Sequence, residues 1–275
     1  MSRSKDLKNI DWDDAFDNFR EIDPALVLSG WRSRSVAFLE EMKNDIFITR
    51  HQRYGDHEKE LFDLFEPRKK SLGTIIFVHG GYWMRTVKAD WSFVGQGLLA
   101  AGWSVAVVGY PQVPAVRIAD ITHSIEYAIR YIGAMTKGSI RLVGHSSGGH
   151  LVCRMLCGNR FNQELQARIE KVISISGIHD LRPLLYTKMN LTLNLDHEEA
   201  RQESTIFSVP KITPVLVWVG GNERPEFLRQ SQLLFETWAR SSNLILNHFD
   251  QGHDHFSVVE QLAKDRSDLL SAVIN

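Results

Sequence analysis

Residues 144–148 read Gly-His-Ser-Ser-Gly, between an apolar run at Ile140–Val143 and a helix-prone run at Gly149–Cys157. A serine flanked by glycines at this spacing has a mechanical meaning where a strand turns sharply into a helix. Small residues at 144 and 148 leave room for that turn. Ser146 would then present its hydroxyl at the C-terminal edge of a sheet, above the positive end of the helix that follows. The chemistry open to it is attack on a carbonyl. An alcohol is a weak nucleophile, so it needs a base, a group that orients the base, and donors for the oxyanion.

Candidates for each role occur at the ends of other apolar runs. His79-Gly80-Gly81-Tyr82-Trp83 follows Thr74–Val78. Its glycines let backbone N–H groups approach a substrate oxygen, and the expected oxyanion donors are Gly81, Tyr82 and, from the serine turn, Ser147. His79 is expected to hold that loop by hydrogen bonds. Glu223 sits in the turn after Val215–Val219 and is the expected acid, while Glu226, one helical step further, should cap or face solvent. Asp180, after Val172–Ser176, is an alternative acid, with an N-cap role at Leu181–Leu185 as its structural reading. The base is expected at His255, which opens a helical run whose Phe256, Val258, Val259, Leu262 and Leu269 pack inward; His253 competes beside the flexible Gly252. The order Ser146, Glu223, His255 suits a doubly covered parallel sheet. His123 and His150 read as structural groups. His253-Asp254-His255 could ligate a metal in isolation, but the serine chemistry accounts for it, so no metal and no organic cofactor is expected.

The elements that must position these residues follow from periodicity. Strands are expected near Asp45–Arg50, Glu60–Phe65, Thr74–Val78, Ser104–Tyr110, Ile140–Gly144, Val172–Ser176, Val215–Val219 and Leu244–Phe249. Helices are expected near Lys88–Ala101, Arg117–Met135, Ser147–Cys157, Pro225–Arg240 and Phe256–Val273. Five runs (TIIFV, SVAVV, IRLVG, VISIS and VLVWV) are rich in Val and Ile with little polar alternation, as in strands covered on both faces. Strand and helix alternate, which specifies an α/β fold with a mostly parallel, doubly covered sheet of about eight strands. The first two strands alternate more and should form an antiparallel hairpin at one edge. Residues 1–44, acidic and aromatic, read as an N-terminal helical arm packing onto an α/β domain at 45–275. The segment 181–210 is long for a connection and reads as a short lid-like insert.

Composition narrows the partners. The 275 residues carry 32 Lys+Arg against 33 Asp+Glu, a net charge of −1, so no basic face for nucleic acid is expected. The 43% hydrophobic and 24% charged residues are those of a globular chain, not a disordered one. No run reaches the roughly 20 apolar residues of a membrane span, and the charged N-terminus lacks a secretory apolar core. The 2 cysteines, Cys153 and Cys157, lie four apart and read as free buried thiols, pointing to a reducing, cytoplasmic setting. A small-molecule substrate is the expected partner, and a homodimer is compatible with these features.

These motifs, with Tyr54-Gly55, LFDLFEP at 61–67, GHSSGGHL at 144–151, SGIHDLRPL at 176–184, PEF at 225–227 and HFSVVE at 255–260, make the chain resemble the serine α/β-hydrolase superfamily and, within it, the kynurenine formamidase (arylformamidase) group. The likeness runs from about residue 45 to the end. By that resemblance the nucleophile falls on Ser146, the acid on Glu223 and the base on His255. Similar sequences usually carry Asp where this chain has Glu223; either carboxylate can hold an imidazole. The resemblance implies cleavage of a formyl or short acyl group from an aryl amide of the N-formylkynurenine type, and so a place in tryptophan catabolism. The alternatives are a short-chain carboxylesterase and a non-catalytic ligand-binding relative. Trp83 and Tyr110 are the expected contacts to a planar leaving group, with Tyr186 and Phe207 further candidates.

Overall fold

The computed structural model describes residues 10–275 except 21, 212, 242 and 243. Its sheet has eight strands: β1 (Ile46–Arg53), β2 (Leu61–Pro67), β3 (Gly73–Val78), β4 (Ser104–Val108), β5 (Ser139–His145), β6 (Ile169–Ile175), β7 (Val215–Gly220) and β8 (Ile245–Asp250). They lie in the order β1-β2-β4-β3-β5-β6-β7-β8. β1 and β2 pair antiparallel, as do β2 and β4, and every other neighbouring pair is parallel. This is the doubly covered α/β sheet expected from the sequence, with the antiparallel hairpin at its edge.

The continuous apolar runs are explained by where alternate side chains go. On β3, Ile76 and Val78 enter one core while Ile75 and Phe77 enter the other; on β4, Ala106 and Val108 oppose Val105 and Val107. With both faces covered, a polar residue at any of these positions would be buried without a partner, so apolar residues, mostly Val and Ile, fill them all. The first face is covered by α4 (Ile118–Met135), whose Ile118, Ile121, Ile125, Ile129 and Ile132 form its buried stripe, and by α5 (Ser147–Arg154). The second is covered by α2 (Pro24–Met42), α3 (Gly95–Ala100) and the C-terminal helices.

The arm spans both cores. Trp12 of α1 (Trp12–Ala15) and Phe16 belong to the first, Trp31 and Phe38 of α2 to the second. Asp23 caps α2 by accepting the Ala25 N–H at 2.8 Å, and Pro24 opens it where no N–H is needed. Residues 1–9 of the expected arm lie outside the described residues.

Three expectations differ in detail. The run Lys88–Ala101 is a 3₁₀ helix over Lys88–Val94 that continues as α3 over Gly95–Ala100. The run 256–273 is not one helix: it breaks after Gln261–Ala263, and Ser267 caps a new helix at Asp268–Ile274 by accepting the Leu270 N–H at 3.0 Å while its hydroxyl donates to the Gln261 carbonyl. β4 ends at Val108, so Tyr110 leaves the strand. No helix among the described residues is long and apolar enough to cross a membrane.

Candidate active site

The turn from β5 into α5 forces Ser146 into φ 57° and ψ −121°, a region that costs a non-glycine residue on the order of 1–3 kcal/mol. The surroundings impose it. The Ser146 N–H donates to the Ile175 carbonyl at 2.8 Å, and a Cβ at Gly148 would stand 2.0 Å from the Val78 carbonyl oxygen, so only glycine lets α5 approach β3 this closely. Ser146 itself is 2% exposed and lines a cavity with Gly81, Tyr82, His145 and His255.

His255 follows β8, and its Nδ1 lies 2.6 Å from the Glu223 carboxylate in the turn after β7. The other Glu223 oxygen accepts the Ser176 hydroxyl at 2.5 Å and the Gly220 N–H at 2.8 Å. Three donors thus hold a side chain with no solvent exposure, leaving its carboxylate aimed at the ring. The extra methylene of Glu is accommodated by the turn itself, where the Gly220 N–H folds the side chain back towards β7. Asp180 is engaged elsewhere: it accepts the Arg182 backbone N–H at 3.2 Å and the guanidinium at 2.8 and 2.9 Å. Glu226, expected to cap or face solvent, is 6% exposed and paired with Arg229 at 2.7 Å. His253 faces the Ser257 hydroxyl at 3.4 Å.

The loop after β3 is bent by three consecutive positive φ values, at Gly81, Tyr82 and Trp83. At Gly81 a Cβ would stand 2.2 Å from the Arg85 carbonyl oxygen. The N–H groups of Gly81, Tyr82 and Ser147 make no hydrogen bond among the described residues. His79 and the Thr86 hydroxyl both bond the Gly80 carbonyl, at 2.8 Å each, and the His79 ring stacks on Tyr110 at 4.3 Å. Burial pushes the His79 pKa down to about 4, so at neutral pH it is an uncharged brace for the loop.

His145 lies with its ring 4.7 Å from that of His255 and bonds the His255 carbonyl through Nε2 at 2.8 Å. A carbonyl only accepts, so Nε2 carries the proton and Nδ1 is a bare lone pair. Burial first, and the neighbouring His255 second, hold the His145 pKa well below the usual imidazole range. His145 therefore fixes the backbone of His255 without adding a charge beside it.

Trp83 and Tyr110, expected against the substrate, do not line this cavity. Trp83 is fully buried; its N–H donates to the Ser147 hydroxyl at 3.3 Å and its indole to His150 Nδ1 at 3.3 Å. His150 in turn bonds the Glu203 carbonyl at 2.7 Å, and burial lowers its pKa to about 3. Tyr110 is 1% exposed and donates to the His79 carbonyl at 2.9 Å. Each has its polar atom satisfied inside the core, which explains why neither faces outward. Tyr186 and Phe207 lie outside the cavity as well: Tyr186 lines a separate surface cleft, and Phe207 packs under Arg182 and Arg201.

The sequence reading missed what covers Ser146. The cavity wall is supplied by Phe19, Pro24, Leu28 and Trp31 of the arm, while no residue of the 181–210 insert lines it. The available signal was the spacing 24, 28, 31 on one helical face, beneath an arm rich in aromatic residues. The cavity measures about 60 Å³. A second one of about 490 Å³ shares Asn18, His255 and Phe256 with it and runs along Glu223, Asn222, Arg224 and Asp254.

The BD-FAE family model matches residues 62–225. A kynurenine formamidase of Salmo salar is 30% identical over 222 residues, covering 76% of this chain and 75% of the relative. Among solved structures, a candidate thioesterase from Silicibacter sp. TM1040 superposes with a TM-score of 0.90 at 37% identity, covering 97% of this chain and all of the other. Esterase B of Lactobacillus rhamnosis superposes at 0.66 with 18% identity over 86% of this chain and 87% of its own, a likeness of fold.

Proposed function

Because the chain belongs to the BD-FAE family and is homologous to the kynurenine formamidases, we propose that it is a serine hydrolase removing a formyl or other short acyl group from an aryl amide of the N-formylkynurenine type. The observation that carries this reading is the Glu223–His255 contact at 2.6 Å beside a cavity of about 60 Å³ that holds Ser146.

Ser146 attacks the carbonyl carbon while His255 takes its proton. The developing oxyanion is met by the N–H groups of Gly81, Tyr82 and Ser147, which have no competing partner among the described residues. Glu223 holds the Nδ1–H tautomer of His255, so that Nε2 is the acceptor, and stabilises the imidazolium that forms. The imidazolium then protonates the departing nitrogen, an aniline in an aryl formamide and hence a better leaving group than an alkyl amine. Water repeats the sequence on the acyl-enzyme.

Short-chain esters or thioesters are a second reading, supported by the candidate thioesterase at 37% identity. The same residues serve them. The two buried free thiols support a reducing, cytoplasmic setting.

A fluorophosphonate probe should label Ser146 and leave Ser146→Ala unlabelled. The kcat/KM values for N-formylkynurenine and p-nitrophenyl acetate, measured in parallel, then separate amide from ester preference. Labelling that persists in Ser146→Ala would overturn the assignment of the nucleophile.

A further inference from the structure

The cavity at Ser146 has two kinds of wall. One is made by the loops that carry the reactive groups. The other belongs to the arm: Asn18 and Phe19 before α2, and a stripe of α2, Pro24, Leu28 and Trp31, spaced i, i+4, i+7 so that all three point the same way. Trp31 is locked: its indole donates to Glu260 at 2.6 Å and its ring meets Trp91 at 4.4 Å. Leu28 is half-buried and has no polar atom in its side chain to fix it.

We propose that this stripe of the arm is the acyl-length gauge of the enzyme, with Leu28 as its adjustable residue. The inference rests on the serine-hydrolase reading above. A volume of about 60 Å³ corresponds to roughly four to six water-sized probe volumes. That space takes a formyl or short acyl group of about two to four carbons, and a longer chain would press on the α2 stripe. The neighbouring cavity of about 490 Å³ lies on the Glu223 side of His255 and is bordered by Arg20, Asn222, Arg224 and Asp254. A polar leaving group keeps hydrogen-bonding partners there, which the apolar chamber would deny it. The acyl part therefore belongs under α2, and the leaving group extends towards the border at Asn18 and Phe256 that the two cavities share.

The test uses the full chain and p-nitrophenyl esters of acetate, butyrate, hexanoate and octanoate. The wild-type kcat/KM should fall at least about tenfold between butyrate and hexanoate. Leu28→Ala should raise the hexanoate-to-acetate ratio about tenfold, and Leu28→Phe should lower the butyrate-to-acetate ratio. Leu26→Ala, on the same helix but 71% exposed and outside the cavity wall, should leave both ratios unchanged. Should Leu28→Ala misfold by circular dichroism, Leu28→Phe decides alone. Unchanged ratios in a folded, active Leu28 variant overturn the gauge. So does a shift in preference between p-nitrophenyl and naphthyl acetate with acyl preference constant, which would put the leaving group under α2. A wild-type protein that hydrolyses no ester or formamide and is not labelled by a fluorophosphonate sinks the serine-hydrolase reading and the gauge with it, a result distinct from the two preceding ones.

Discussion

The loops after β3, β5 and β8, backed by the loop after β7, and the arm at residues 10–42 line the chamber at Ser146, yet loops and arm hold their shape by different means. The loops are held by hydrogen bonds to fixed donors and by glycines that tolerate close backbone contact: three donors on Glu223, the Ile175 carbonyl on Ser146, two bonds on the Gly80 carbonyl. The arm is held by aromatic burial. Phe19 stacks on Phe256 at 4.8 Å and Phe16 meets Phe227 at 6.0 Å, and polar ties at its surface supplement that packing, among them the Tyr82 hydroxyl to the Phe16 carbonyl at 2.5 Å, the Trp31 indole to Glu260, Arg32 to Asp90 and an Asp14–Arg224 ion pair. Hydrogen-bonded geometry is directional and fails abruptly when one partner is lost. Apolar packing is non-directional and degrades by volume.

Substitutions in the two regions should therefore separate chemistry from stability. The largest effect is expected for His255→Ala, with a loss of turnover of about 10⁴-fold or more, against a mild loss for His253→Ala. The reverse ranking in folded variants would move the base. Glu223→Gln keeps an acceptor for Ser176 and Gly220 but permits the wrong tautomer of His255. Its kcat should drop by about 10³ to 10⁴ with little change in Tm, and Glu223→Asp should be milder. A dead, folded Asp180→Asn beside a near-normal Glu223→Gln would shift the acid to the earlier strand. In the arm, Trp31→Ala should cost about 3–5 kcal/mol in urea unfolding. Its activity should fall less than that of Glu223→Gln once folded protein is compared.

The smallest effect concerns acid. The arm segment 10–42 contains no histidine, whereas His79 and His150, each with a pKa lowered by burial to about 4 and about 3, brace the loops. An unfolded imidazole titrates near 6.5, so below that pH the unfolded state binds protons that these folded histidines refuse, and stability falls as pH drops. Between pH 7 and pH 5 the loss should be about 2 kcal/mol for each of the two. His150→Gln should flatten the pH dependence of urea unfolding. An unchanged slope would mean that His150 is not held neutral.

Much of this arrangement was legible beforehand. The parallel strands could be read because covered strands admit only apolar residues, and the serine turn because glycine at 148 has no substitute against the Val78 carbonyl. Trp83 and Tyr110 lie away from the chamber at Ser146 for a reason no local pattern shows: an aromatic residue beside a glycine loop has the same composition whether its ring faces the substrate or its N–H or O–H is satisfied beneath the loop. Only the partners, His150 and the His79 carbonyl, distinguish the two.

The sequence by itself determined the sheet, the strand-to-helix serine turn, and the loops that carry Glu223 and His255, because each depends on local periodicity and on small residues at close approaches. Tertiary structure decided which carboxylate meets His255, which aromatic rings are buried, and that the arm, not the 181–210 insert, lies over Ser146. Those outcomes depend on contacts between segments up to about 230 residues apart, such as Trp31 with Glu260. No local pattern encodes them, since an apolar helical stripe states only that it must be covered and leaves its partner to the packing of the whole chain.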